Sequence, residues 1–277
     1  MKQVLVQGGS VVVHEVPTPQ VSEKNILVRV QHSCVSVGTE MASVKMSGLP
    51  LYKRALKQPD NVKKVLEMMR EQGVKRTMDR VQGKLAVGSP TGYSAAGTVI
   101  AVGSEVVGFQ KGDRVACAGA GIANHAEVID VPVNLAVKIP DNMGTDYAAT
   151  VTLGAIALQG VRRANPTLGE TVAVLGLGIL GQLTVQMLVA NGCHVIGSDL
   201  DPSRIEMAKT SGMEHGITPQ SEDFVERVYK LTNGFGADAV IITAATPSHE
   251  VMHQALDRKS TRLNSNHSSV SRMPSSA

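Results

Sequence analysis

The stretch that decides the fold runs from residue 171 to residue 181 and reads Thr171-Val-Ala-Val-Leu-Gly-Leu-Gly-Ile-Leu-Gly181. Its apolar run, Val172 to Leu175, is typical of a buried parallel strand, and three glycines follow at the spacing G-x-G-x-x-G. In such a turn the first glycine permits a tight bend, and the second lets backbone amides approach a pyrophosphate. The third lets the next helix pack closely on the strand. The pattern predicts a dinucleotide-binding βαβ unit.

The sequence after the glycines supports this interpretation. A helix is predicted from Gln182 to Asn191, and its N-terminus directs the positive end of the helix dipole toward the pyrophosphate. A second apolar run at 194–196 leads to Asp199, which is spaced to accept hydrogen bonds from an adenosine ribose. An anionic Asp199 would repel a 2′-phosphate, so the sequence favours NAD over NADP. A methyltransferase also has a glycine-rich turn, but it usually carries an acid just before the glycines, where this chain has Val174 and Leu175.

The predicted cofactor site therefore combines the glycine turn, the start of the helix and two charged side chains beyond the second strand. The glycines alone are weak evidence, because glycine supplies 27 of the 277 residues. The strand before them, the helix after them and the acid at the correct distance make the signal specific. The predicted cofactor-binding residues are Gly176, Gly178, Ile179, Leu180, Gly181, Asp199 and Arg204.

Composition limits the class of protein. The three cysteines, Cys34, Cys117 and Cys193, are few, odd in number and far apart, which argues against a disulfide framework or a cysteine-rich zinc lobe. Polar and glycine residues interrupt the stretch 1–9 too early for a signal peptide, and no stretch is apolar over the length of a membrane span. We expect a cytoplasmic protein whose partner is a small-molecule substrate, not a membrane or a nucleic acid.

The formal charge of +3 comes from the last residues of the chain. Residues 257–277 hold four basic residues and only one acid, Asp257, which leaves residues 1–256 neutral. This serine-rich segment shows no apolar periodicity, and its beginning resembles the translation of a sequencing adapter. We therefore expect native sequence to end near Leu256 and the rest to be a disordered, non-native tail.

Hydrophobic patterning predicts two kinds of domain. The stretches 1–16, 26–40 and 92–139 are interpreted as strands separated by turns. From residue 145 onward, helices alternate with short apolar strands at 171–175, 193–198 and 238–243, which indicates a parallel sheet covered by helices. The sequence thus predicts an α/β protein with a first domain over 1–148 and a second over 149–256.

A helical insertion interrupts the first domain at residues 51–85. Apolar residues recur at three- and four-residue spacing and predict two amphipathic helices around Gly73. These residues are Val62, Val65, Leu66, Met69, Val74, Met78, Val81 and Leu85. The insertion also holds ten Lys or Arg against four Asp or Glu. It could bind an anionic substrate such as a nucleotide sugar or sugar acid, present a solvated face, or dock another domain.

One further stretch resembles a known superfamily. Residues 97–115, with their Val99, Gly103 and Gly112-Asp113 positions, together with Ala126-Glu127 and Lys138-Ile139-Pro140, are similar to the signature of medium-chain dehydrogenases/reductases. With the glycine turn, the resemblance covers about residues 1–256. It implies a GroES-like β-barrel catalytic domain followed by a Rossmann domain, with the active site in the cleft between them.

Two features resemble a narrower group within that superfamily. The insertion and the stretch Thr152–Arg163 are similar to the N-terminal half of bacterial bi-domain oxidoreductases. A second oxidoreductase domain and the last two strands of the Rossmann sheet would then be missing. We accordingly expect a fragment with an open apolar sheet edge, unstable or inactive by itself.

The resemblance also indicates where zinc ligands would stand. Zinc-dependent members carry Cys-Gly-Thr-Asp near residue 40 and Gly-His-Glu near residue 92, whereas this chain has Val37-Gly-Thr-Glu40 and Gly92-Tyr-Ser94. Valine cannot bind a metal, and Tyr and Ser are poor replacements. Cys34 lies three residues early and, on a strand, would point to the opposite face from Val37. The sequence predicts neither a catalytic nor a structural zinc.

Without zinc, a side chain must exchange the hydroxyl proton during hydride transfer. Tyr93 takes the place of the zinc-binding histidine, and Thr39 matches the hydroxyl that relays the proton in relatives. The predicted catalytic residues are Tyr93, Thr39 and Glu40, with Asn124 and His125 as weaker candidates in the same cleft. The alternative is that Tyr93 only packs beside the cofactor.

A second motif, His249-Glu-Val-Met-His253, matches the zinc-protease pattern HExxH. It follows a predicted strand where the fold needs an ordinary helix, and Leu256 occupies the position where the extended motif needs glycine. A protease is therefore the weaker interpretation.

The sequence as a whole predicts an NAD(H)-dependent, zinc-independent oxidoreductase acting on an alcohol or carbonyl carbon, with a sugar as candidate substrate. Two alternatives stay open. One is an NADPH-dependent quinone or enone reductase of the same superfamily, and the other is a non-catalytic cofactor-binding module of a two-part oxidoreductase.

Overall fold

The computed structural model describes residues 1–57, 59–244 and 262–265, and it divides into two compact units. Unit 1 is Met1–Thr152, and unit 2 begins at Leu153. Within the described residues, no helix combines the length and the apolar character needed to cross a membrane.

Unit 1 is built mainly from antiparallel strands. Its elements in chain order are β1 (Lys2–Gln7), β2 (Ser10–Glu15), β3 (Asn25–Ser33), α1 (Val37–Ser47), α2 (Leu51–Lys57), α3 (Pro59–Gln72), α4 (Val74–Val87), β4 (Ser89–Pro90), β5 (Ser94–Val102), β6 (Arg114–Ala118), β7 (Val128–Pro132), a 3-10 turn (Val133–Leu135), β8 (Ala136–Lys138) and α5 (Thr145–Ala148). A five-stranded sheet has the order β7-β3-β5-β6-β8, and a three-stranded sheet has the order β2-β1-β4.

The core of the five-stranded sheet consists of side chains that alternate along its strands. Ile26 and Val28 of β3 are fully buried, together with Val99 of β5, Val115 of β6 and Val131 of β7. This alternation is typical of a sheet with one face on the core. The strands predicted over 92–139, and the turns predicted within that range, are confirmed.

One predicted strand is wrong over its second half. The sequence predicted a strand over 26–40, but β3 ends at Ser33 and helix α1 begins at Val37. The physical reason is a local cap. The carboxylate of Glu40, in the first turn of α1, accepts the backbone N–H of Ser36 at 2.9 Å and stabilises the helix start. Cys34 and Val37 therefore do not share a strand, and strand alternation does not set their directions.

The two helices predicted around Gly73 are confirmed as α3 and α4. Their apolar faces are less buried than the spacing suggested. Leu66, Val74 and Met78 remain largely exposed, as do Tyr52 and Leu56 of α2. Part of the apolar face of each helix is therefore not covered by the described residues.

Unit 2 is an α/β domain with a parallel sheet. Its elements are α6 (Val151–Ala164, which begins just before the division), β9 (Thr171–Leu175), α7 (Ile179–Ala190), β10 (His194–Ser198), α8 (Pro202–Thr210), β11 (His215–Ile217), α9 (Phe224–Leu231), β12 (Ala239–Ile242) and β13 (Arg262–Ser265). The strand order is β11-β10-β9-β12-β13, with every pair parallel. The predicted strands at 171–175, 193–198 and 238–243 are confirmed, and their buried side chains form the core.

The edge of this sheet differs from the expectation. We expected residues 257–277 to lack regular structure and β12 to be an open edge. Instead, Arg262–Ser265 pairs in parallel with Ala239–Ile242. Strand pairing uses backbone N–H and C=O groups. A polar segment with no apolar pattern can therefore form the hydrogen bonds that the backbone of an apolar edge strand needs.

Candidate functional site

The glycine turn in unit 2 connects β9 to α7. Gly176 has φ +93°, and a Cβ atom there would lie 2.6 Å from the backbone nitrogen of Ala244. A Cβ atom on Gly181 would lie 2.0 Å from the carbonyl oxygen of Gly176, so the helix touches the turn. Gly178 has open space above it, because a Cβ atom there would have no atom of the described chain within 4 Å. The three glycines thus meet three different requirements, as the motif predicted.

The N-terminus of α7 is open to an anion. The helix begins at Ile179, three residues before the predicted start, and no side chain of the described residues caps its first turn. The N–H groups at the start of a helix lack intrahelical acceptors and carry the positive end of the dipole. Ile179 and Leu180 lie in this first turn, which fits a phosphate group above Gly178.

Asp199 follows β10 and is almost buried, with 8% of its side chain exposed. Its Oδ2 accepts the backbone N–H of Leu177 at 2.6 Å, and its Oδ1 accepts the N–H of Asp201 at 2.9 Å. The guanidinium Nη1 of Arg204 lies 3.7 Å from Oδ1. Each carboxylate oxygen has two lone pairs, so Asp199 retains capacity for a sugar hydroxyl.

Gln182 is a residue that the sequence did not single out. Its Nε2 donates to the carbonyl oxygen of Leu177 at 3.0 Å and to that of Arg204 at 2.8 Å. It therefore ties the glycine turn to the start of α8. No motif marks this position, because its role depends on two carbonyl groups that only the fold brings together. The turn, the open helix end and Asp199 together fit a dinucleotide.

A second polar cluster lies in unit 1. The Nε2 atom of His125 is 3.1 Å from Oε2 of Glu40, and the two side chains are 9% and 14% exposed. The other ring nitrogen, Nδ1, is 2.8 Å from Oγ of Ser33. We refer to these three residues as the Ser33–His125–Glu40 chain.

Backbone contacts hold the Ser33–His125–Glu40 chain in position. The N–H of His125 donates to the carbonyl of Thr91 at 2.9 Å. Gly92 has φ +97°, and a Cβ atom there would lie 2.7 Å from the backbone nitrogen of His125 and 3.0 Å from its ring. Glu40 is fixed by the N–H of Ser36, with the hydroxyl of Thr91 at 3.5 Å. Only glycine can occupy position 92 without displacing the imidazole.

The structure brings some of the predicted residues together and separates others. Glu40 and His125 are hydrogen-bonded, and buried Asn124 precedes His125. Thr39 is exposed, and its hydroxyl accepts only a 3.5 Å contact from Ser36 among the hydrogen bonds of the described residues. Tyr93 is half-buried, and its carbonyl accepts the Thr152 hydroxyl at 3.0 Å.

Two groups in the cluster have distinctive properties. The amide oxygen of Asn124 is buried and has no hydrogen-bond partner among the described residues. Burial raises the pKa of the Cys34 thiol, and the negative charge of Glu40 raises it further. The cluster therefore contains one acceptor without a partner among the described residues, the amide oxygen of Asn124, and one thiol, Cys34, whose pKa depends on the charge of Glu40.

The residues at the family's zinc positions do not fit that metal. Val37 offers no donor atom. The fully buried hydroxyl of Ser94 already donates to the carbonyl of Ala149 at 2.6 Å and accepts the N–H of Thr152 at 3.1 Å. In the described part of the chain, no group of three or more His, Cys, Asp or Glu side chains is arranged to hold a metal ion. The HExxH stretch at 249–253 lies outside the described residues.

Comparison with known proteins gives the family. Residues 71–141 match the alcohol dehydrogenase GroES-like domain, and residues 180–260 match the zinc-binding dehydrogenase domain. The chain belongs to the medium-chain dehydrogenase/reductase superfamily of oxidoreductases, with a GroES-like domain and a Rossmann-like parallel sheet.

Individual relatives agree with this assignment. The chain is 28% identical over 185 residues to sorbitol dehydrogenase of Bacillus subtilis, covering 57% of this chain and 52% of that protein. It is also 28% identical over 242 residues to an uncharacterized zinc-type alcohol dehydrogenase-like protein of Haemophilus influenzae, covering 86% and 67%. The chain thus spans about half of the sorbitol dehydrogenase and about two thirds of the second relative.

A solved structure shows the same fold at lower identity. Escherichia coli quinone oxidoreductase, crystallised with NADPH, superposes with a TM-score of 0.73 at 18% identity, covering 95% of this chain and 72% of that one. At this identity the likeness concerns the fold only.

Proposed function

We propose that this protein is an NAD(H)-dependent, zinc-independent oxidoreductase that transfers a hydride to or from an alcohol or carbonyl carbon. The observation that carries the proposal is the almost buried carboxylate of Asp199 beside the glycine turn. A carboxylate at this position accepts hydrogen bonds from the two ribose hydroxyls and repels a 2′-phosphate.

The cofactor would be held by backbone groups and by Asp199. The pyrophosphate would lie above Gly178 at the N-terminus of α7, where Ile179, Leu180 and Gly181 contribute N–H groups. When bound, the nicotinamide supplies the acceptor or donor of the hydride and its two electrons. A fluorescence titration with NADH and NADPH tests this assignment. Binding of NADH at least tenfold tighter than NADPH is expected, and equal or reversed affinities would contradict it.

The proton of the substrate hydroxyl must be exchanged by the protein. The first candidate for this exchange is the hydroxyl of Tyr93 as acid or base, with Thr39 as the relay and Glu40 as the third member of the set. The variant Tyr93→Phe removes the hydroxyl and keeps the ring, so turnover should fall by about 10²-fold. The matched control is Tyr147→Phe, which alters an exposed tyrosine of the same unit. Unchanged turnover in Tyr93→Phe would remove Tyr93 from the mechanism.

A sugar or polyol is the proposed substrate class. Similarity to sorbitol dehydrogenase supports a polyhydroxylated substrate. The excess of basic residues in the insertion at 51–85 additionally suits an anionic one, such as a sugar acid or nucleotide sugar. An assay of NAD-dependent oxidation with neutral polyols, sugar acids and nucleotide sugars distinguishes a neutral substrate from an anionic one. A preference for anionic substrates that weakens with added salt is expected if the insertion takes part.

A second candidate function is an NADPH-dependent quinone or enone reductase. The specific observation in its favour is Arg204, whose half-exposed guanidinium lies 3.7 Å from Asp199 and could bind a 2′-phosphate. Consumption of NADPH with quinones, without activity on alcohols, would favour this candidate over the first.

A further inference from the structure

The Ser33–His125–Glu40 chain is a continuous hydrogen-bonded path through unit 1. It runs from the hydroxyl of Ser33 across both imidazole nitrogens of His125 to the carboxylate of Glu40, with contacts of 2.8 Å and 3.1 Å. We propose that the Ser33–His125–Glu40 chain, in place of Tyr93 and Thr39, is the proton relay of the reaction, with Ser33 at its outer end. The proposal rests on the oxidoreductase function proposed above.

The chemistry follows from the donor and acceptor atoms. If neutral His125 carries its proton on Nε2, it donates to Glu40, and its Nδ1 accepts the proton of the Ser33 hydroxyl. During alcohol oxidation the substrate O–H proton passes to the oxygen of Ser33 while the proton of Ser33 moves to Nδ1. A bound nicotinamide would accept the hydride, with its electron pair, from the carbon that carries this hydroxyl. Carbonyl reduction returns the proton along the same path.

The surroundings favour this role over a purely structural one. An acid and an imidazole are costly to bury, and apolar residues of similar volume commonly pack at least as well. Glu40 stabilises the imidazolium that forms during oxidation, because opposite charges at this distance attract strongly where water is excluded. The buried amide oxygen of Asn124 has no partner among the described residues, so this cluster contains an acceptor that packing alone leaves unsatisfied.

Three titratable groups belong to the segments around the imidazole. Glu40 contacts the ring from α1, Cys34 follows Ser33 after β3, and Tyr93 follows Gly92, whose Cβ position lies 3.0 Å from the ring. Glu40 is the acidic residue in direct contact with His125. Oxidation needs neutral His125 to accept the proton, so its rate should fall as pH decreases. Reduction needs the imidazolium, so its rate should fall as pH increases.

The kinetic test replaces Ser33 and His125, the two residues that would carry the substrate proton. Ser33→Ala and His125→Gln should each lower kcat about 10²-fold while the KM for substrate and the Kd for NADH change less than twofold. In His125→Gln the decline of oxidation at low pH should disappear. The matched controls are Ser104→Ala and His14→Gln, which alter exposed residues of unit 1. An unchanged kcat and an unchanged pH profile in His125→Gln would overturn the relay, whatever the effect of Tyr93→Phe.

A second measurement needs no cofactor. The 15N chemical shifts of the imidazole report which nitrogen carries the proton, and the relay requires Nε2–H with an unprotonated Nδ1. Glu40→Gln should weaken that preference, and Glu40→Asp should partly restore it, as expected for a positioning residue. A neutral ring protonated on Nδ1 would overturn the proposal. Failure to bind NADH or NADPH would instead contradict the proposed function, and the shifts would still decide the relay.

Discussion

The backbone N–H of Leu177 lies 2.6 Å from Oδ2 of Asp199 and joins the glycine turn to the end of the neighbouring strand. A hydrogen bond to an ionised carboxylate is stronger than a neutral one. Asp199 is therefore both the expected ligand of the ribose and a support of the turn that would hold the pyrophosphate. The two halves of the proposed cofactor site would thus depend on the same side chain.

This double role gives a prediction for Asp199→Asn. The amide cannot accept from both Leu177 and Asp201, so one buried N–H loses its partner. A hydrogen bond to a charged group contributes about 1.5–3 kcal/mol, and we expect at least a tenfold loss of NADH affinity with a lower Tm. Fluorescence titration and thermal unfolding measure both effects.

The matched control for that variant is Asp201→Asn. Asp201 caps α8 by accepting the N–H of Ser203, and asparagine is an equally good cap. The affinity for NADH and the Tm should therefore remain unchanged in Asp201→Asn. If both variants behave alike, the effect is one of net charge and not of the Leu177 contact.

The third glycine of the motif, Gly181, should be needed for the stability of unit 2. In Gly181→Ala the new Cβ would lie 2.0 Å from the carbonyl oxygen of Gly176, so α7 must move away from the turn. Overpacking of this kind costs about 1–3 kcal/mol, and we expect a Tm lower by about 3 °C or more together with weaker NADH binding. Differential scanning calorimetry measures the change.

The second glycine should be needed for binding only. In Gly178→Ala the new methyl group has no atom of the described residues within 4 Å, and φ is an ordinary −66°, so the Tm should remain close to that of the parent protein. Its methyl group would nevertheless occupy the space proposed for the pyrophosphate, and NADH affinity should fall at least tenfold. Full affinity in Gly178→Ala would place the cofactor elsewhere.

Position 92 should tolerate only glycine. Gly92→Ala combines a φ of +97° with a Cβ atom 2.7 Å from the backbone nitrogen of His125. Backbone strain of this kind costs about 1–3 kcal/mol, and the displaced imidazole should lose its contacts with Ser33 and Glu40. We expect reduced stability in urea unfolding and altered imidazole 15N shifts.

A suitable control separates strain from collision. Gly108→Ala has a similar φ of +89°, but its Cβ atom would have no neighbour within 4 Å in the described part of the chain, so the variant should lose stability without any change at His125. Equal effects of the two variants on the His125 signals would show that contact with Gly92 is not what positions the ring.

Cysteine labelling should report the charge on Glu40. Burial raises the pKa of Cys34, and Glu40 raises it further by disfavouring the thiolate. The thiolate is the reactive form, so Cys34 should react with iodoacetamide more slowly than a free thiol at pH 8 and faster as pH increases. Glu40→Gln should increase the rate at pH 8.

Two internal comparisons accompany this labelling. Burial raises the pKa of Cys117 to about 12, so that thiol should remain unlabelled while the protein is folded. Glu15→Gln, at an exposed position on β2, should leave the Cys34 rate unchanged. Mass spectrometry identifies the labelled site, and no acceleration in Glu40→Gln would show that its charge does not reach Cys34.

The main features of unit 2 could be predicted from the sequence for a local reason. The turn, the helix after it and Asp199 fall within 29 consecutive residues, and each depends on properties of its own segment. Glycine freedom, apolar periodicity and strand length are visible without the fold. The prediction of a strand over 26–40 was wrong in its second half. The β-branched residues Val35 and Val37 favour a strand locally, but the hydrogen bond from the Ser36 N–H to Glu40 stabilises the start of a helix there.

The sequence by itself therefore determined the order of strands and helices around the glycine turn, the superfamily resemblance and the loss of the zinc ligands. Only the tertiary structure decided which polar residues of unit 1 meet. Ser33 and Glu40 lie 92 and 85 residues from His125. The resemblance puts Glu40 and His125 in one cleft, but no local pattern pairs them or includes Ser33. Their contact arises because antiparallel pairing of β3 with β5 and β7 brings distant loops to one end of a sheet, and the path of a chain through a sheet is not a local property.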